Sequence, residues 1–103
     1  MNGFVLHPEA NTDLIDIWEY IAADNLDAAD RVIGEIYKKI RTLAAFPHQG
    51  HGRPDLSSRP LRFQLVRDYL IAYAPDEKPL PIIAVLHGRR SPRVIAAILH
   101  GRT

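Results

Sequence analysis

The first half of the chain carries apolar residues at helical spacing. One stripe is formed by Leu14, Ile17, Trp18 and Ile21. Acidic residues lie between its members and are expected to face solvent, namely Asp13, Asp16, Glu19 and Asp24. Pro8 is suited to the first helical position because its φ angle is fixed. The pattern predicts an amphipathic helix that opens at Pro8 and ends near Asn25.

A second apolar stripe follows almost at once, formed by Ala29, Val32, Ile33, Ile36, Ile40 and Leu43. We expect the carboxylate of Asp27 to cap the free backbone amides at the start of this helix. Pro47 disfavours helical backbone at the residue before it, so the helix should stop at Phe46. The connection is short, which predicts an antiparallel helical hairpin whose two stripes face one core.

The second half of the chain has the alternation typical of strands. Short strands are predicted at residues 4–6, 61–66, 69–73 and 82–86, the last three forming an antiparallel meander. Residues 48–55 are rich in Gly and Pro and read as an irregular loop. Ser91 and Pro92 are placed to cap and open a terminal helix.

The order β-αα-βββ-α predicts an α+β fold in which the hairpin packs on one face of a mostly antiparallel sheet. At 103 residues, with 47% hydrophobic and 24% charged residues, the chain is expected to form one folded domain over residues 1–103. It has no cysteine, no apolar run long enough for a bilayer and no signal-like N-terminus, so a cytoplasmic protein without membrane contact is expected.

The charge is distributed unevenly. Residues 1–47 hold 4 Lys/Arg and 8 Asp/Glu, whereas residues 48–103 hold 9 and 4, giving −4 and then +5. Six of its eight arginines form the strongest polar concentration, namely Arg53, Arg62, Arg67, Arg89, Arg90 and Arg93. Such groups suit bidentate contact with phosphate or carboxylate, and they equally serve solubility and internal ion pairing, so pattern alone leaves both open.

Familiar catalytic motifs are missing, including the dinucleotide, P-loop, zinc-protease and serine-hydrolase signatures. His48 and His51 have a spacing that can bind metal but no acidic or thiolate partner nearby, so no metal or cofactor is expected. His87 ends a predicted strand beside Arg89 and Arg90, where it is either a structural histidine or a proton-transfer group. Trp18 and Tyr20 are read as core and rim packing.

Taken in order, these segments resemble the ParE branch of the RelE/ParE toxins. The resemblance is carried by residues 14–21, Phe46-Pro47 with Gly50 and Arg53, the run 69–73, and Val85-Leu-His-Gly-Arg-Arg90. It implies the β-αα-βββ-α layout, a toxin of a type II plasmid-stabilising pair, and a cognate antitoxin whose flexible segment wraps around the toxin in a hetero-oligomer. The expected antitoxin contacts on the hairpin are Trp18, Ile21, Ile36 and Ile40.

The resemblance leaves two activities open, since RelE-like members cut messenger RNA on the ribosome and ParE-like members poison DNA gyrase. RelE-like nucleases have an arginine in the third strand and a tyrosine after the basic cluster, where this chain has Leu70 and Ile95. A metal-independent ribonuclease here would depend on His87, Arg89 and Arg90. We therefore expect a gyrase poison more than a ribonuclease, and a non-toxic family member that acts only as a binding module is the third alternative.

If the chain poisons gyrase, the residues that contact gyrase are expected to be Arg89, Arg90 and Arg93, with Arg62 and Arg53 as second-tier candidates. The segment His87–Val94 would present them between the last strand and the terminal helix.

Overall fold

The computed structural model describes residues 3–102 and contains the seven predicted elements. They are β1 (Phe4–Leu6), α1 (Pro8–Ala22), α2 (Leu26–Ala45), β2 (Arg62–Val66), β3 (Tyr69–Tyr73), β4 (Leu80–His87) and α3 (Pro92–His100). The strands form one sheet in the order β1-β4-β3-β2, with β1 parallel to β4 and the other pairs antiparallel. The predicted α+β fold, with a helical hairpin over a mostly antiparallel sheet, is confirmed.

The helix ends follow the expected chemistry, with one correction. Asn25 caps α2, because its Oδ1 accepts a hydrogen bond from the amide of Ala28 at 2.9 Å. Asp27, which was expected to be the cap, lies inside the first turn, where its charge suits the helix dipole. Ser91 caps α3 as predicted, accepting from the amide of Val94 at 3.2 Å. Of the helices within residues 3–102, none has the length and hydropathy needed to cross a bilayer.

The sheet is covered on both faces. Buried residues of the hairpin pack on one face against Ile71, Tyr73, Ile82 and Val85. On the opposite face, Ile95 and Leu99 of α3 pack against strand residues such as Phe63 and Leu70, together with Leu56 of the long loop between α2 and β2, residues 46–61. Since strand side chains alternate between faces, β3 and β4 contribute to both cores and are apolar almost throughout.

A bulge in β4 places consecutive residues on the same face. The pairing with β3 shifts between Ala72 and Tyr73, and Ile83 and Ala84 both join the core under α3. β1 pairs with β4 only as far as Ile82, because the chain turns into α1 at Pro8. Beyond Ile82, the outer backbone groups of β4 therefore need other partners.

An ion pair between α1 and the C-terminal segment supplies these partners. The carboxylate of Asp13 accepts from the amide of Val85 at 3.0 Å, and Nη1 of Arg102 donates to the carbonyl of Ile83 at 3.2 Å. Asp13 and Arg102 also bond each other through both carboxylate oxygens, and this raises the pKa of the Arg102 guanidinium. Arg102 is only 8% exposed. The expectation that Asp13 faces solvent is therefore wrong.

A buried tyrosine fixes the start of the long loop. The hydroxyl of Tyr73 donates to the carbonyl of Pro47 at 2.7 Å and accepts from the amide of Gly50 at 2.9 Å. A side chain at Gly50 would meet this hydroxyl at 2.5 Å and the carbonyl of Phe63 at 2.8 Å, so only glycine fits. Burial raises the pKa of Tyr73, which keeps the phenol protonated as the donor.

Removing one partner of the edge-closing ion pair should destabilise the fold. Arg102→Ala leaves the largely buried carboxylate of Asp13 without its charge partner, and we expect the free energy of unfolding to fall by about 3 kcal/mol. Urea denaturation would measure it, with Arg89→Ala as a surface control within about 0.5 kcal/mol of the wild type. An Arg102→Ala protein as stable as that control would show that the pair does not support the fold.

The Tyr73 hydroxyl can be tested by itself with Tyr73→Phe. The change keeps the ring in the core but leaves the Pro47 carbonyl and the Gly50 amide without this partner, so we expect a loss of about 1–3 kcal/mol in unfolding free energy. Tyr20→Phe, which removes an exposed hydroxyl, is the matched control. Equal stability of the two variants would contradict the assignment.

Candidate functional site

The short connection from β4 to α3 is held at both ends. The amide of Gly88 donates to the carbonyl of Asp68 at 2.7 Å, which ties the connection to the β2–β3 turn. The amide of Arg90 donates to the carbonyl of His87 at 3.2 Å, and Ser91 then caps α3. Arg89, Arg90 and Arg93 are exposed here and are called the terminal arginine cluster below. A fixed backbone thus presents three guanidinium groups to solvent.

The predicted target-binding arginines divide into two groups. Within residues 3–102, no ion pair is formed by the terminal arginine cluster. Arg53 pairs with both carboxylate oxygens of Asp55 at 2.9 and 2.8 Å, which lowers the pKa of Asp55. Arg62 donates to the carbonyl of Gly50 at 2.6 Å. Arg53 and Arg62 therefore hold the long loop, and of the five predicted target-binding arginines only those of the cluster have no internal partner.

His87 has a local structural role in this loop. Its Nδ1 accepts from the amide of Arg89 at 3.1 Å, and its ring packs edge-on against Tyr69 with 5.5 Å between centroids. The side chain is half-buried, and burial also raises the pKa of Tyr69. The geometry orients the imidazole toward its own loop, which is what a structural histidine requires.

Leu70 and Ile95 point away from the terminal arginine cluster. Leu70 is 8% exposed and Ile95 is 3% exposed, and both belong to the core between the sheet and α3. These two positions therefore contribute apolar packing, with no hydroxyl or guanidinium group directed at the loop.

The β2–β3 turn beneath the loop is braced from the hairpin. Arg67 has a positive φ of 54°, a conformation that costs a side-chain-bearing residue energy. Its guanidinium bonds both carboxylate oxygens of Glu35 in α2, at 2.8 and 2.7 Å, and this interaction lowers the pKa of Glu35. Because Gly88 bonds the same turn, the pair helps to position the terminal arginine cluster relative to α2.

The hairpin carries a small apolar groove of about 330 Å³ on its outer side. Trp18 lines it, and its indole nitrogen donates to Asp30 at 2.9 Å. The other apolar lining residues are Leu14, Ile15, Ile33 and Tyr37. Ile15 is exposed, and it recurs with Trp18 at helical spacing, as do Ile33 and Tyr37, so a second stripe in the sequence could have indicated this groove.

The predicted hairpin contacts need adjustment against this groove. Ile21 is half-buried against the core, and Ile36 and Ile40 have no accessible surface. A partner could touch Ile36 and Ile40 only after the core opened, so we no longer assign them to antitoxin contact. Tyr20 is 82% exposed, and the expectation that it packs at the rim is wrong.

His48 and His51 of the long loop contact different neighbours. Nε2 of His48 lies 3.5 Å from Asp76, and the backbone of His51 forms a bridge with Phe63. Within the described part of the chain there is no group of three His, Cys, Asp or Glu side chains arranged for an ion.

Comparison with known families decides the class of protein. Residues 4–92 match the family model described as "ParE toxin of type II toxin-antitoxin system, parDE". The chain belongs to the ParE toxin family. A ParE toxin is the toxin of a type II toxin–antitoxin pair, and the family implies a cognate antitoxin as partner. The curated proteins include no significant match to this ParE toxin. Residues 93–102, with most of α3 and Arg102, lie beyond the matched range.

The brace between Glu35 and Arg67 predicts a dependence of stability on pH. The pKa of Glu35 is lower in the folded state than in the unfolded state, so this stabilisation is present above about pH 4.3 and is lost as pH falls through the folded-state value. The melting temperature of wild type should exceed that of Glu35→Gln at pH 7, and the difference should shrink at pH 3. A difference that is constant between the two pH values would contradict the brace.

Proposed function

We propose that this ParE toxin inhibits growth by poisoning DNA gyrase in the cytoplasm, through the terminal arginine cluster, as the toxin of a plasmid-stabilising pair. The observation that carries the proposal is the exposure of Arg89, Arg90 and Arg93 on a backbone fixed by hydrogen bonds at both ends. Their charges have no ion-pair partner among the described residues, so they remain available to another molecule.

The chemistry of arginine suits a complex of protein and cleaved DNA. A guanidinium group forms bidentate bonds with both carboxylate and phosphate, and gyrase holding DNA offers both kinds of acceptor. Binding of this sort needs a complementary surface with a few strongly bonded residues and no catalytic set. The −4 charge of residues 1–47 and the +5 charge of residues 48–103 would orient the basic half toward an acidic target during encounter.

Ribonuclease activity is the second candidate function, and the burial of Leu70 and Ile95 argues against it. Cutting RNA without a metal requires groups that activate the 2′-hydroxyl and protonate the leaving oxygen. Leu70 and Ile95 supply neither, and Nδ1 of His87 is already bonded to its own loop. Arg89 and Arg90 alone could stabilise the charged phosphate, which accounts for only part of the reaction.

The antitoxin would use the apolar groove of the hairpin as one contact. Its walls include the exposed Ile15 and the half-buried Trp18, which suit the apolar face of a helix that folds on binding. Ile21 lies at the half-buried edge of the same helix and stays a candidate contact.

The double substitution Arg89→Ala with Arg90→Ala should abolish toxicity while the protein stays folded. Loss of two exposed anchors at a binding surface predicts a loss of affinity on the order of a hundredfold or more. The matched control is Arg31→Ala with Arg41→Ala on α2, which removes the same charge from exposed positions elsewhere. Survival after induction without antitoxin would be counted, with circular dichroism to verify folding.

The same induction experiment separates the activities. A gyrase poison should trigger a DNA-damage reporter before protein synthesis stops. Immediate arrest of translation with cleaved transcripts and no DNA damage would support the ribonuclease instead. Absence of toxicity from soluble wild-type protein would indicate a binding module. Full toxicity of the Arg89→Ala, Arg90→Ala protein would remove the cluster from the mechanism.

A further inference from the structure

A larger groove lies on the opposite side of the molecule from the hairpin, between residues 54–59 and the outer face of α3. Its volume is about 1010 Å³, three times that of the groove on the hairpin. The apolar part of the lining consists of Pro54, Leu56, Ala96 and Ala97. We call it the α3 groove. Small side chains on α3 leave room for another chain to approach the helix closely.

The rim of the α3 groove carries positive charge that its neighbours do not neutralise. Arg59 and Arg93 line it and form no ion pair among the described residues, and His100 lies beside them. The carboxylate in the lining, Asp55, is bonded at both oxygens by Arg53, and Arg102 is in turn bonded by Asp13. The opposite charges within each of these two pairs cancel. The net charge that remains at the rim comes from Arg59 and Arg93 and is positive.

Part of this rim is already ordered. Nη1 of Arg59 donates to the carbonyl of Arg102 at 2.6 Å, and the amide of Arg59 donates to the hydroxyl of Ser57 at 3.0 Å. Arg93 stands on the first turn of α3, whose cap is formed by Ser91. A ligand would therefore meet a site whose backbone does not have to be ordered on binding, which reduces the entropic cost.

We propose that the α3 groove binds an acidic, extended peptide segment with small apolar side chains, supplied by the cognate antitoxin. Carboxylates would bond the cationic rim while the apolar side chains cover Pro54, Ala96 and Ala97. The occupant follows from combining a positive rim with an apolar floor. The antitoxin itself is the partner that membership of the ParE family implies.

Nucleic acid matches the α3 groove less well. A phosphodiester backbone would use the rim but would leave the apolar floor uncovered. Proteins that hold single strands without sequence preference add aromatic side chains on which bases stack. Among the described residues that line this groove there is no Phe, Tyr or Trp.

Binding of the antitoxin segment in the α3 groove would also explain how the antitoxin neutralises the toxin. Arg93 lines the groove and belongs to the terminal arginine cluster. A peptide bonded to Arg93 would cover one of the residues proposed to contact gyrase. This masking step rests on the proposed function, whereas binding of the peptide does not.

Binding can be measured with synthetic probes and the purified full-length toxin. The first probe is a fluorescein-labelled peptide that alternates Glu with Ala and Leu, read by fluorescence anisotropy. The second replaces Ala and Leu by Ser and keeps the charge, and the third is a labelled oligothymidylate of similar length. We expect the first peptide to bind at least about tenfold more tightly than the other two, because it alone covers the floor.

Single substitutions test whether the peptide binds in the α3 groove. Ser58→Glu and His100→Glu put negative charge at exposed positions of the α3 groove, and each should weaken the Glu/Ala/Leu peptide by about tenfold. Arg41→Glu is the control, since it makes a larger charge change on the outer surface of α2, on the other face of the sheet. We expect Arg41→Glu to change the affinity for the Glu/Ala/Leu peptide by less than about twofold. A far-ultraviolet circular dichroism spectrum of every variant would verify folding.

The proposal is overturned if the Glu/Ala/Leu peptide does not bind, if oligothymidylate binds more tightly, or if Arg41→Glu weakens the peptide as much as Ser58→Glu does. Neither Ser58 nor His100 belongs to the terminal arginine cluster, so toxicity of these variants should match wild type. Failure of the gyrase proposal would appear in the induction experiment and would leave these binding results unchanged.

Discussion

The outer edge of β4 is the point at which this fold has to be closed. β1 is three residues long and covers β4 only to Ile82, so the carbonyl of Ile83 and the amide of Val85 would face outward without partners. Asp13 and Arg102 bond these groups and each other. Unpaired backbone groups at a buried edge cost about as much as a lost hydrogen bond each, so closure by side chains is a structural requirement here.

This closure links the two layers that cover the sheet. Asp13 belongs to the hairpin on one face, and Arg102 follows α3 on the other. The carbonyl of Arg102 also accepts from Arg59, which connects the long loop to the same point. The α3 groove and the terminal arginine cluster both depend on where α3 lies, so the ion pair of Asp13 with Arg102, which itself lines the α3 groove, helps to determine how they are presented.

Much of the fold could be predicted from periodicity, because apolar residues repeat with the period of the element that buries them. Tyr69–Tyr73 was predicted residue for residue, and Ser91 was recognised as a cap from its place before Pro92. Asp13 was missed because a carboxylate between apolar helical positions looks the same whether it faces water or a distant arginine. The choice of Asn25 over Asp27 depends on where the helix begins, which pattern locates only to within a residue or two.

The site was predictable in part. Position along the chain placed Arg89, Arg90 and Arg93 at the start of α3 and ranked Arg53 and Arg62 below them. It could not show that Arg53 bonds a carboxylate two residues on or that Arg62 bonds the carbonyl of Gly50. Ile36 and Ile40 were assigned to a surface because the stripe of α2 does not reveal which of its residues the sheet covers completely. The α3 groove had no sequence signal, since it forms between a loop and a helix distant in the chain.

The partners in the closing ion pair are 89 positions apart in the chain. The pair therefore joins the first helix to the end of the described chain. Fraying of the C-terminal segment would leave the carbonyl of Ile83 and the amide of Val85 without these partners, so a local change at the chain end would open the edge of the sheet.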